Sequence, residues 1–349
     1  MPSPIVVCRP GPARRRRGAA IAASLAVLTL AAACSGGPGS TGTAGVDAGP
    51  GAGPGDDRAG VSGAGVSGAD DRPLVLTTFT VLADIARNVA GDHLRVESLT
   101  KVGAEIHGYQ PTPSDLQRAE GADLVLDNGL GLEAWFARFI GSGSTARVTV
   151  TDGVDVLPIA GGPESGAPNP HAWMSPVNAG VYVDNIAAAF AELDPAHAAD
   201  YRAAGARYRR EVEAVGTGLL DRLADLPSSA RMLVTCEGAF SYLARDADLT
   251  EGYLWAVNAE QEATPRTVAG VIDVVRERGV PAVFCESTIS PRTMMRVVES
   301  TGAAFGGTLY VDSLSPPDGP VPTYLDLLRH DADVIAGALT AGHDDKEGR

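Results

Sequence analysis

The chain has 349 residues, 44% of them hydrophobic and 20% charged, and a formal net charge of −15 at pH 7. This length is sufficient for two lobes of ordinary domain size. The acidic balance argues against a nucleic-acid-binding protein, which needs a basic surface. It suits a carrier of cations, although exported proteins are often acidic for other reasons.

Residues 1–33 have the pattern of an export signal. Arg14–Arg17 form a basic segment, and residues 18–33 are apolar but shorter than the roughly 20 residues of a membrane span. The stretch ends in the letters LAAAC, typical of a bacterial lipobox, so we expect cleavage to leave Cys34 as a lipid-anchored first residue. Because Ala31 stands where Leu is usual, an ordinary A-x-A cleavage is the alternative.

Residues 34–72 are mostly Gly, Ala, Ser, Pro and Asp. Such a segment buries too little apolar surface to offset its ordering entropy, so it is predicted to be a flexible tether. We expect an N-terminal α/β lobe over 73–195, a bridging helix over 196–226 and a C-terminal α/β lobe over 227–345.

Strand-like and helix-like segments alternate, which predicts an α/β fold with mainly parallel sheets flanked by helices. Strands are predicted at 74–78, 94–99, 122–127, 147–151, 231–236, 253–257, 281–285 and 308–311. Helices are predicted at 80–90, from Thr112, around 131–140, and at 177–193, 196–225, 238–245, 265–278, 291–301 and 324–339. The segment 196–225 would span about 45 Å and is predicted to be a rigid strut between the lobes.

Four ligand-type residues stand in loops or at strand ends: His107, His171, Glu237 and Asp312. Two imidazoles and two carboxylates would suit a divalent first-row metal if the fold brought them together. Asn169 could orient the His171 ring through its other nitrogen. Taken singly, however, a lone histidine is more often an ordinary surface or core residue, and either acid could be a helix cap.

Two cysteines remain in the predicted folded part, Cys236 and Cys285, each before a Glu at a strand end. A disulfide is possible outside the cytosol. Two buried thiols are slightly favoured, because neighbouring parallel strands often give poor disulfide geometry.

Six phrases occur in a fixed order: GAEIHGYQPTPSD, NPHAWMSP, VTCEGAFSYLARDADL, LWAVNAEQEATP, FCESTISPRTM and LYVDSLSP. Together, over about residues 74–342, they resemble the metal-binding lipoproteins of bacterial ABC importers, the manganese/zinc solute-binding family known as cluster A-I. The resemblance implies two lobes bridged by one long helix, with metal ligands at His107, His171, Glu237 and Asp312. It also implies that Glu260, Glu262 and Glu286 face the cleft beside the ligands.

The resemblance further implies a monomeric, extracytoplasmic, lipid-anchored binding protein. It would pass a divalent metal to the permease and ATPase of an importer. Zinc-type members commonly have His where Glu237 stands, and this chain has no His-rich tract, so Mn²⁺ is favoured, with Zn²⁺ or Fe²⁺ possible. The chain departs from the family pattern at two places. Glu105-Ile106 replaces Asp-Pro, so the loop of His107 is expected to be less rigid. Cys236 replaces a small residue and brings a sulfur near the ligands.

Two other functions remain as alternatives. A surface adhesin is compatible with the anchor, and members of the family have carried that label. A metallohydrolase is less favoured, because it needs an open coordination position and a positioned base, and the chain has neither HExxH nor GxSxG. The prediction is that the protein is not an enzyme.

Overall fold

The computed structural model describes residues 70–137, 145–227, 230–257 and 263–347. Strands and helices alternate along them, as predicted. In chain order the elements are β1 (Leu74–Thr77), α1 (Thr80–Ala90), β2 (Arg95–Ser98), α2 (Pro113–Glu120), β3 (Leu124–Asp127), α3 (Ala134–Ala137), β4 (Ala146–Thr149), α4 (Pro176–Leu193), α5 (Ala198–Leu223), β5 (Met232–Glu237), α6 (Ser241–Asp246), β6 (Thr250–Trp255), α7 (Pro265–Arg278), β7 (Ala282–Glu286), α8 (Arg292–Thr301), β8 (Ala304–Leu309) and α9 (Tyr324–Glu347).

The first four strands form one parallel sheet in the order β2-β1-β3-β4. The central strands β1 and β3 read LVLT and LVLD and are almost wholly buried, as expected where helices cover both faces of a parallel sheet. Helix α2 begins where the sequence predicts, since Thr112 and Asp115 form a reciprocal capping box and Pro113 occupies the first turn. The carboxyl ends of these strands therefore lie at one edge of the sheet.

Helix α5 is the predicted long helix, and its 26 residues span about 39 Å. It is shorter than predicted at its start, because Pro195–His197 form a separate 3₁₀ turn after α4. Its contact with α4 is close at Gly205, where a Cβ would lie 3.2 Å from Ala187 Cβ and 3.3 Å from Val183 Cγ1. The chain thus passes from the first sheet to the remaining strands through two tightly packed helices.

The last four strands form two parallel pairs, β5 with β6 and β7 with β8. A disulfide between Cys236 and Cys285 joins β5 to β7, with the Cα atoms 4.9 Å apart. The expectation of two free thiols is therefore wrong. Strands β5 and β7 come close enough near their carboxyl ends to be bridged.

Several hydrogen bonds tie the C-terminal segment to the first sheet and its helices. Tyr324 N donates to Asp84 Oδ2 at 2.8 Å, and Trp173 Nε1 donates to Val311 O at 3.0 Å. No helix among the described residues is long and apolar enough to cross a bilayer. The predicted signal over 1–33 and the anchor Cys34 lie outside the described residues.

Candidate metal centre

The structure brings His107, His171, Glu237 and Asp312 together. The two imidazole Nε2 atoms lie 3.0 Å apart. Glu237 Oε1 lies 3.6 Å from His107 Nε2 and 3.8 Å from His171 Nε2, and Asp312 Oδ1 lies 4.0 and 3.9 Å from the same two atoms. A cation held about 2.1 Å from each donor, as N and O ligands of first-row metals are, would fit among atoms at this spacing.

Each of the four side chains is presented by the end of an element or by a short loop. His107 lies in the loop between β2 and α2, and His171 directly precedes the 3₁₀ turn Ala172–Met174 that leads into α4. Glu237 is the last residue of β5, and Asp312 follows β8. Both acids thus stand at the carboxyl ends of parallel strands, where open α/β sheets bind their ligands.

The cluster is almost closed to solvent, since none of the four side chains is more than 6% exposed. Asp312 Oδ1 is buried with no hydrogen-bond partner among the described residues, which is costly unless a cation or a proton satisfies it. Burial lowers the pKa of His107 to about 4 and that of His171 well below its usual value. Both imidazoles are therefore neutral and can offer a lone pair to a metal.

Comparison with known proteins identifies the family. A family model described as ZnuA, the periplasmic component A of a zinc-uptake complex, matches residues 75–338. The chain belongs to this family. ZnuA-family proteins are extracytoplasmic binding components of metal-uptake complexes and not enzymes, which confirms the predicted family and the absence of a catalytic role.

Individual relatives cover most of the folded part. The iron-binding protein YfeA of Yersinia pestis is 52% identical over 263 residues, which are 75% of this chain and 85% of YfeA. The metal ABC transporter substrate-binding lipoprotein SsaB of Streptococcus sanguinis is 31% identical over 273 residues, covering 76% and 88%. The Mn-bound periplasmic metal-binding protein of Candidatus Liberibacter asiaticus superposes with a TM-score of 0.72 at 37% identity, over 77% of this chain and all of that one. These similarities confirm the predicted α/β fold with parallel sheets and a long joining helix.

In this ZnuA-family chain Asn169 determines how His171 faces the cluster. Asn169 Oδ1 lies 2.9 Å from His171 Nδ1, so the ring donates from Nδ1 and presents the lone pair of Nε2 to the other three side chains. The amide orientation is set in turn by Asn169 Nδ2, which donates to Gly238 O at 2.9 Å and Ser241 Oγ at 3.1 Å. These two bonds connect the His171 loop to the segment that follows Glu237.

The other sequence-predicted residues fall in different places. Glu260 and Glu262 lie outside the described residues. Glu286, at the end of β7, accepts hydrogen bonds from Glu237 N at 3.2 and 3.3 Å and thus supports Glu237 from behind. Cys236 is held in its disulfide, so the sulfur that it places next to Glu237 in the chain is not a free thiol.

The sequence reasoning missed the position of Glu105, which it treated only as a departure that loosens the loop. The Glu105 carboxylate instead accepts hydrogen bonds from His107 N at 2.7 Å and Gly108 N at 2.8 Å, and so holds the loop. An acid two residues before a candidate histidine in a Gly-rich loop is the signal that could have revealed it.

Proposed function

We propose that this chain captures a divalent transition metal through His107, His171, Glu237 and Asp312 and delivers it to the permease and ATPase of an ABC importer. The observation that carries the proposal is the buried cluster of two neutral imidazoles and two carboxylates, in which each imidazole Nε2 lies 3.0 to 4.0 Å from the other imidazole and from both carboxylates. Four protein donors leave a four-coordinate metal such as Zn²⁺ no open position for a reacting water, which suits binding and release and not hydrolysis.

The ligand set favours Mn²⁺ or Fe²⁺ as the transported metal. Carboxylate oxygens suit Mn²⁺, and imidazoles suit iron as well as zinc. Relatives are associated with these two metals: YfeA is called iron-binding, and the Liberibacter protein was solved with Mn. The Liberibacter protein was also solved with Cd. By the Irving–Williams order Zn²⁺ still binds tightly, so manganese preference concerns transport more than equilibrium affinity.

A lipid anchor at Cys34 would hold the monomeric protein at the outer face of the cytoplasmic membrane, with residues 34–72 as its tether. The lipobox-like LAAAC supports this placement, and the relative SsaB is named a lipoprotein. A tether of this composition leaves the folded part free to reach a permease in the same membrane.

The test is competitive metal loading. Metal-free protein is exposed to equimolar Mn²⁺, Fe²⁺ and Zn²⁺ under anaerobic conditions. Ascorbate keeps iron ferrous without attacking the disulfide, and bound metal is measured by elemental analysis. We expect about one equivalent in total, as for a single four-ligand site, and its loss in His107→Ala.

The matched control is His330→Ala, which removes an imidazole that lies 3.0 Å from Thr308 O and packs against the Tyr310 ring. This variant should load like the parent protein. Failure of the parent protein to retain any of the three metals, or equal loading of His107→Ala, would overturn the proposed site and favour a different role such as adhesion.

A further inference from the structure

A third carboxylate, that of Glu105, lies beside the proposed ligands. Ligand-type atoms of Glu105, His107 and Asp312 all lie within 4.8 Å of one another. Glu105 is partly exposed, whereas the side chains of His107 and Asp312 are 6% and 3% exposed. Of the clustered acids it is therefore the one that an arriving cation meets at the surface.

The hydrogen bonds of Glu105 leave it able to bind a cation. One oxygen accepts from His107 N and the other from Gly108 N, and each carboxylate oxygen has room for a second interaction. No Lys or Arg in the described part of the chain forms an ion pair with Glu105 within 4.0 Å. Its charge is therefore available to an arriving cation without a cationic side chain to offset it.

We propose that Glu105 is an entry ligand, which binds the arriving cation beside His107 and Asp312 and then stays as a further oxygen donor to a metal that takes more than four ligands. This inference rests on the proposed function and deepens it. Glu105 would thereby raise the affinity of the site for some metals more than for others.

The preferred coordination number of each metal determines whether Glu105 strengthens its binding. Zn²⁺ in closed protein sites is almost always four-coordinate, so His107, His171, Glu237 and Asp312 already complete its shell. Mn²⁺ prefers an octahedral arrangement that includes carboxylate oxygens. An additional carboxylate therefore contributes more to the binding of Mn²⁺ than to that of Zn²⁺.

The decisive variant is Glu105→Gln, because glutamine keeps one oxygen that can accept a backbone hydrogen bond but removes the charge. Glu299→Gln, in an exposed position on α8, removes the same charge far along the chain and serves as the matched control. Rates are followed by stopped-flow tryptophan fluorescence, to which Trp173 contributes with its ring centroid 5.2 Å from that of His171. Dissociation constants for Mn²⁺ and Zn²⁺ alone come from competition with a chelating dye.

We expect Glu105→Gln to bind Mn²⁺ with a slower association rate and about tenfold weaker affinity, the low end of the range for groups supporting a metal site. Its Zn²⁺ affinity should stay within about threefold, a change of less than 1 kcal/mol, which also shows that the variant is folded. Glu299→Gln should match the parent protein for both metals.

Two results would overturn the role of Glu105. Equal weakening for Mn²⁺ and Zn²⁺ would mean that Glu105 acts only by holding the His107 loop, and unchanged Mn²⁺ binding would mean that it takes no part. In both cases the parent protein still binds metal, and the proposed function stands. A parent protein that binds neither metal would overturn both proposals together.

Discussion

Asn169 is the residue on which the orientation of His171 depends. Its side-chain oxygen accepts from His171 Nδ1, and its amide nitrogen is fixed by Gly238 O and Ser241 Oγ. Leucine has the same branching as asparagine, although it is larger, and it cannot accept a hydrogen bond, so Asn169→Leu would free the ring to adopt the other tautomer or to turn. We expect metal affinity to fall about 10- to 100-fold, as for other groups that orient a metal-binding histidine, measured by chelator competition.

The control for this change is Asn185→Leu. Asn185 also uses its amide to hold backbone, donating to Val150 O and Asp152 O at 2.8 Å, but it contacts none of the four proposed ligands. Metal affinity should be unchanged in this variant. If Asn169→Leu bound metal as tightly as the parent protein while remaining folded, His171 would not need this partner.

At the scale of elements, the disulfide between β5 and β7 should contribute strongly to stability. It closes a loop of 49 residues, and the chain-entropy model assigns such a loop about 4 kcal/mol. We therefore expect Cys236→Ala with Cys285→Ala to lower the free energy of unfolding by about 2 to 4 kcal/mol. Urea unfolding followed by fluorescence measures the change.

A reductant provides the internal control for the disulfide. Reduction should destabilise the parent protein toward the level of the double variant and leave the double variant unaffected. A parent protein whose unfolding midpoint does not respond to complete reduction would contradict a stabilising role for this link.

The same strands show what the sequence could predict and what it could not. The sequence predicts helix α7 at its observed bounds because Thr264 and Pro265 mark its start, and in the structure Gly279 ends it in the left-handed conformation. The sequence predicts a strand at 308–311, but β8 runs over Ala304–Leu309. The first part of this strand is not recognisable from the sequence, because Gly306 and Gly307 have no side chains to form the apolar pattern that indicates a strand.

The candidate metal centre, too, could be predicted from the sequence only in part. The four ligand-type residues are recognisable because each has its own loop or strand-end sequence, and the family resemblance selects them from the remaining acids and histidines. The disulfide and the place of Glu105 depend on distances between segments that are far apart in the chain. Local pattern carries no information on such distances, so both required the folded structure.

At the scale of the whole molecule, buried carboxyl groups are the dominant electrostatic feature of the metal centre. Burial raises the pKa of Glu286 from an ordinary 4.5 to about 8. Burial, followed by the charges of Glu237 and Glu105, also raises the pKa of Asp312 well above its usual value. A bound divalent cation would supply the opposite charge that favours the ionised forms.

The metal-free protein should therefore lose stability as the pH rises, and metal should remove much of that loss. A carboxyl whose folded-state pKa is raised contributes stability below its unfolded pKa, and this contribution is lost as the pH rises through the folded value. For Glu286, with a folded pKa of about 8, the expected loss between about pH 6.5 and 8 is about 2 kcal/mol. The histidines, whose pKa values are lowered, change stability mainly below this window.

Urea unfolding at several pH values, with and without saturating Mn²⁺, measures how the free energy of unfolding changes with pH. Glu286→Gln should flatten this dependence in the metal-free protein, and an unchanged slope in that variant would assign the loss to other groups.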